Sequence, residues 1–106
     1  MRKIIGLIGL ISLIGHIPSE ANSFIADAYA YFSLGVIYDQ DGKIKEAIEE
    51  YKKADKIQTN AEIKSSLAID YFTLGNLSRA KKYAKEALIL DSTCTQAHFI
   101  LGKIYF

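Results

Sequence analysis

Residues 31–51 read YFSLGVIYDQDGKIKEAIEEY and carry the strongest structural signal in the chain. The letters form two stretches in which apolar residues recur every three or four positions, a spacing typical of helices with one buried face. Asp41-Gly42 lies between the two stretches, and this pair of residues favours a turn. The segment therefore predicts two consecutive helices joined by a short turn, over about 24–40 and 44–57.

The same pattern recurs along the chain at a nearly constant interval. Equivalent residues lie 33 or 34 positions apart, in the sets Leu34, Leu67 and Leu101; Tyr38, Tyr71 and Tyr105; Ala47 and Ala80; Ala54 and Ala87. A fixed period of this length indicates a repeated helical hairpin. Further helices are expected over about 61–73, 77–90 and 94–105, with Asn60, Asn76 and either Ser92 or Thr93 as their N-caps.

These landmarks resemble the tetratricopeptide repeat family. Repeat one has Y-x-x-L-G-x-x-Y from Tyr31 followed by A-x-x-x-Y from Ala47, and repeat three opens with H-x-x-L-G-x-x-Y from His98. Repeat two departs from the pattern, because Lys64 stands in its aromatic position and Ala68 replaces its glycine. The resemblance implies an all-α fold in which antiparallel helix–turn–helix repeats stack as a right-handed α-solenoid.

About 2.5 such repeats are expected within a domain spanning 22–106. Repeat one would span 28–60, repeat two 61–94 and a partial repeat three 95–106. Gly35 and Gly102 are expected where two helices nearly touch, with aromatic side chains filling the space around such small residues. The apolar residues near Phe106 favour a fragment of a longer array, or a last helix that packs against another molecule.

Residues 1–21 differ in composition from the rest of the chain. Arg2 and Lys3 precede an apolar run over 4–17, which is followed by Pro18 and the small residues Ser19 and Ala21. This order is typical of a cleaved signal peptide, the first interpretation. The second is an uncleaved membrane anchor, and the third is an apolar helix that packs on the repeats. The protein would be exported, periplasmic or secreted, after cleavage and membrane-anchored without it, with membrane contact only through 4–17.

Composition argues against several functions. Residues 22–106 hold eleven Lys and Arg against eleven Asp and Glu, so the repeats lack the basic surface of a nucleic-acid-binding protein. Cys94 has no second cysteine with which to form a disulfide or a zinc site, and we expect it to be a small residue at a helix start. No glycine-rich phosphate-binding loop, no H-E-x-x-H motif and no Cys/His pairing with a base is present, so no metal, cofactor or catalytic residue is expected.

The resemblance places protein binding in a concave groove lined by the first helix of each repeat. The groove residues implied for this chain are Tyr29, Phe32, Val36, Asp39 and Gln40; Glu62, Ser65, Ile69, Phe72 and Thr73; and Gln96, Phe99 and Lys103. The alternative for Phe32 and Phe72 is packing between repeats. Val36 and Ile69 occupy positions where some family members place asparagine to clamp the carboxylate tail of a chaperone, so no such clamp is expected.

These observations predict a non-catalytic scaffold or adaptor that binds a peptide or a partner helix. Two alternatives remain open. The repeats could be the docking arm of a longer enzyme, or the chain could be a membrane-anchored structural protein.

Overall fold

The computed structural model describes residues 19–106, with side chains from Asn22 onward. Its helices are α1 (Ser19–Gln40), α2 (Ile44–Ile57), α3 (Ala61–Thr73), α4 (Leu77–Leu90) and α5 (Thr95–Tyr105). No strand occurs in this part of the chain. The prediction of an all-α fold is confirmed.

The helices form successive hairpins. α1 packs on α2, α3 packs on α4, and α2 packs on α3, while α5 packs against both helices of the second hairpin. The turns within the two hairpins have the same geometry, with Gly42 at φ 75° and Gly75 at φ 79°. In each turn the residue after the glycine donates its N–H to the carbonyl of Tyr38 or Tyr71, at 2.8 Å. This helix ending requires a left-handed residue, which is why glycine recurs there.

Small and aromatic side chains interlock in the core. Alanines occupy the closest contacts and are fully buried at 47, 54, 80, 84 and 87, while Tyr51, Leu67 and Tyr71 fill the space between helices. A Cβ at Gly35 would overlap the ring of Tyr51, so the predicted close approach there is confirmed. The same prediction for Gly102 is wrong, because nothing lies within 4 Å of a Cβ at that position.

The N-caps of α3 and α4 are as expected. Asn60 Oδ1 accepts from the N–H of Ile63 at 2.8 Å, and Asn76 Oδ1 accepts from that of Arg79 at 3.1 Å. The prediction that Ser92 or Thr93 caps α5 is wrong.

Buried Cys94 holds the N-cap position of α5, and its side chain makes no capping bond. The preceding turn is closed instead by Asp91, whose Oδ1 accepts from both the N–H and the hydroxyl of Thr93.

The described part of α1 includes residues 19–23, five positions before the expected start at 24. The apolar run over 4–17, and with it most of the expected signal or anchor segment, lies outside the described residues. Of the helices within 19–106, none combines the length and apolar character needed to cross a membrane.

Candidate functional site

The candidate site is the groove, the surface formed by the first helices α1, α3 and α5. The apolar residues in the middle of the predicted groove, Phe32, Val36, Ile69 and Phe72, are half-buried and pack against the core. Phe32 lies with its ring centroid 5.5 Å from that of Tyr51 on α2. The packing role considered for Phe32 and Phe72 is therefore present, and all four side chains keep part of their surface exposed.

Two aromatic side chains of the groove are instead largely exposed. Tyr29 on α1 has 69% of its surface accessible, and Phe99 on α5 has 59%. Lys103, one turn beyond Phe99, holds its ammonium 5.0 Å from the centre of the Phe99 ring. Exposed aromatic side chains provide large contact areas for a partner.

A cleft of about 300 Å³ lies between α1 and the start of α3. Its lining residues are Ala28, Tyr29, Phe32, Gln58, Asn60, Glu62 and Ile63. Three residues predicted for the groove, Tyr29, Phe32 and Glu62, are thus brought together at one place. The other cleft residues come from α1, α3 and the α2–α3 loop, and Gln58 and Asn60 in that loop were not expected to contribute.

The polar groove residues differ in their accessibility. Gln40, Glu62, Thr73, Gln96 and Lys103 are exposed. Ser65 is an exception, because it is 1% exposed and its hydroxyl donates to the Glu62 carbonyl at 3.0 Å. Ser65 therefore lies beneath the groove surface rather than on it.

Asp39 joins three helices at the other end of α1 from the cleft. Its Oδ2 accepts a hydrogen bond from the hydroxyl of Tyr51 on α2 at 2.7 Å. Its second oxygen, Oδ1, is buried without a hydrogen-bond donor, and so is Oδ2 of Asp70 on α3. Asp70 is 2% exposed, and its carboxyl group lies near that of Asp39. Two ionised carboxylates can only accept hydrogen bonds. If Asp70 keeps its proton, its O–H can donate a hydrogen bond to Asp39 and both oxygens are satisfied.

The electrostatics agree with a shared proton. Burial, followed by the nearby charge of Asp39, raises the pKa of Asp70 from 3.8 to about 8. Burial and the bond to Asp39 likewise raise the pKa of the Tyr51 hydroxyl. Sequence reasoning missed Asp70. The available signal was its spacing, because it follows buried Leu67 by three residues and Ile63 by seven, on the buried face of α3.

The charges that remain on the groove are mostly negative. Residues 22–40 of α1 include two aspartates and no Lys or Arg. The one cation of α3, Lys64, pairs with Asp55 Oδ2 at 2.7 Å and with Glu86 Oε2 at 3.2 Å, and lies 5.4 Å from the Tyr83 ring centre. Lys64 therefore interacts with side chains of α2 and α4 and does not offset Glu62.

The described residues contain no group of three His, Cys, Asp or Glu side chains arranged to hold a metal ion. His98, in the aromatic position of repeat three, is exposed, and its Nε2 lies 2.8 Å from the Ser92 carbonyl. This contact links α5 to the preceding turn.

Comparison with known families agrees with the geometry. Family models described as tetratricopeptide repeat match residues 28–60 and residues 66–106. The comparison with curated proteins finds no match.

Proposed function

Because the chain belongs to the tetratricopeptide repeat family, whose members generally mediate protein–protein interaction, we propose that it binds a peptide or a partner helix in the groove. The observation that carries this proposal is the cleft beside exposed Tyr29, with exposed Phe99 farther along the groove. A half-buried apolar floor between exposed aromatic anchors suits a segment with apolar side chains at intervals.

The proposed role is that of a non-catalytic adaptor. Repeat proteins of this family are generally scaffolds. The carboxyl groups of Asp39 and Asp70 support the same role, since Asp39 is half-buried and accepts from Tyr51, Asp70 is buried, and neither lines the cleft. Burial and the neighbouring carboxyl of Asp39 explain the raised pKa of Asp70.

Selection from a phage library of random peptides of about twelve residues tests the proposal, using the full chain as bait. We expect enriched peptides to bind the chain and to lose about tenfold or more in affinity for Tyr29→Ala, because an exposed aromatic anchor is removed. Ile89→Ala is the matched control, since Ile89 is 84% exposed but lies on α4 and outside the groove. A library that yields no binder, or binders indifferent to Tyr29→Ala, would refute the proposal.

We also propose that the chain is exported through residues 1–21, with membrane anchoring as the alternative. Cleavage after Ala21 would remove only three described residues of α1, and the buried contacts of that helix start later, at Ala28. N-terminal sequencing of the mature protein distinguishes the two. A first residue Asn22 supports cleavage, whereas an intact Met1 supports an anchor.

We propose further that the groove does not clamp a chaperone tail. Val36 and Ile69 are apolar and packed against the core, so neither offers an amide to a carboxylate. The negative charge of Glu62 also opposes an acidic peptide. Titration with a chaperone C-terminal peptide should show no saturable binding at low micromolar concentration, and such binding would contradict this point.

A further inference from the structure

We propose that the cleft between α1 and α3 accepts a lysine or arginine side chain of the bound peptide, next to an apolar residue that packs on Tyr29 and Phe32. This inference rests on the proposed function of the groove and adds the chemistry of its partner. The partner is thus a basic peptide with apolar anchors.

The cleft offers both surfaces that such a pair of residues needs. Tyr29 and Phe32 supply an aromatic wall on α1, and Glu62 supplies an exposed carboxylate on α3 across the opening. The amide of Gln58 adds an exposed polar group at the rim. Long cationic side chains place their apolar stems on aromatic surface while the charged end reaches a carboxylate.

Glu62 has no cation of its own. Among the described residues, the ion pairs are those of Lys53 with Glu50 and of Lys64 with Asp55 and Glu86, and Glu62 takes part in none of them. The basic residue nearest in sequence, Lys64, is held between α2 and α4. A cation on the partner would therefore meet an available carboxylate.

The other groups of the groove point to the same preference. Residues 22–40 of α1 contribute no positive charge, and Asp39 and Asp70 retain one negative charge when they share a proton. Lys103 is the cation predicted for the groove, and it belongs to α5 beside Phe99 rather than to the cleft. Complementary charge both favours a basic partner and disfavours an acidic one.

Glu62 also has a structural role that the test must separate from binding. It lies in the first turn of α3, where a negative side chain favours the helix start. Glu46 also lies in the first turn of its helix, α2, is exposed, and does not line the cleft. Glu46→Gln is therefore a matched control, since Glu62→Gln and Glu46→Gln each remove one exposed negative charge from the first turn of a helix.

The experiment uses the peptides selected from the phage library on the wild-type chain. We expect their sequences to be enriched in Lys or Arg next to an aromatic or aliphatic residue, relative to the unselected library. Synthetic copies should bind Glu62→Gln about fivefold more weakly than wild type, the scale of a partly exposed charge pair, and should bind Glu46→Gln as they bind wild type. Replacing the peptide arginine with neutral citrulline should have the same effect as Glu62→Gln.

The outcomes separate the two proposals. Peptides that depend on Tyr29 but show no basic enrichment, or that bind Glu62→Gln as tightly as wild type, would overturn the cationic site and leave groove binding in place. Enrichment of acidic peptides would overturn it as well. Failure to select any peptide that depends on Tyr29 would overturn groove binding itself, and the cationic site with it.

Discussion

The buried carboxyl of Asp70 makes the stability of this protein depend on pH, and Asp70→Asn should remove that dependence. The raised pKa of Asp70 favours its protonated form, whose O–H is the donor that the buried Oδ1 of Asp39 lacks. An asparagine at this position has nearly the same shape and carries a permanent N–H donor. The substitution therefore keeps the bond between α1 and α3 and removes the ionisation.

The sign and the size of the change in stability with pH follow from the raised pKa of Asp70. The unfolded chain releases the Asp70 proton near its ordinary pKa of 3.8, whereas the folded chain holds it to about pH 8. The folded state therefore binds more protons between these values, and its stability falls as pH rises through that interval. At about pH 7 the folded state is less stable than at low pH by at most about 4 kcal/mol, because each pH unit above the unfolded pKa contributes about 1.4 kcal/mol.

Asparagine brings a smaller cost of its own. Its second amide hydrogen has no acceptor at this buried site, which costs about 1–2 kcal/mol. Asp70→Asn should thus be less stable than wild type by about 1 kcal/mol near pH 4 and more stable by about 2 kcal/mol near pH 7. The more stable of the two proteins should therefore be wild type near pH 4 and Asp70→Asn near pH 7.

Urea denaturation followed by circular dichroism, from about pH 4 to about pH 9, measures this difference. Asp41→Asn is the control, because Asp41 is an exposed aspartate in the α1–α2 turn and its replacement should leave the pH dependence of wild type in place. A difference between wild type and Asp70→Asn that stays constant across the pH range would refute the shared proton. Loss of stability at every pH would refute it equally.

Two further predictions compare matched positions within the repeats. Gly35→Ala should destabilise the fold by about 1–3 kcal/mol, because the added methyl group overlaps the buried ring of Tyr51. Gly102→Ala should stabilise it by about 0.5–1 kcal/mol, since the site is open and alanine favours a helix. Equal effects of the two substitutions in thermal unfolding would contradict this. Asn60→Ala should lower the stability of the fold by about 1 kcal/mol, because the N-cap of α3 is lost. Ser92→Ala should change stability by less than about 0.5 kcal/mol, because the Ser92 side chain does not cap α5. The midpoints of urea denaturation measure both effects.

The hairpins could be predicted from the sequence because their determinants are local. The turns after Tyr38 and Tyr71 each need one left-handed residue, and glycine stands at both places. The alanine positions then follow from helical spacing, since each repeat buries the same face. Such features recur in every repeat, so a single chain supplies several observations of the same rule.

The features that sequence reasoning missed depend on which helices meet. The two neighbouring carboxyl groups of Asp39 and Asp70 meet because α1 and α3 approach at that end, and neither repeat shows the pairing in its own pattern. Gly102 fits the glycine pattern, but no helix within residues 19–106 packs against it as α2 packs against Gly35. The cleft likewise includes the loop residue Gln58, which no helical period could assign to the groove.

The residues that hold the repeats together are largely separate from those proposed to contact a partner. Tyr29 and Glu62 are exposed, so their replacement should change binding while the fold stays intact. Phe32 belongs to both groups, because it lines the cleft and packs against Tyr51 in the core. A groove built in this way can change its specificity at the exposed positions, whereas a change at Phe32 must also be accommodated by the helix pair beneath it.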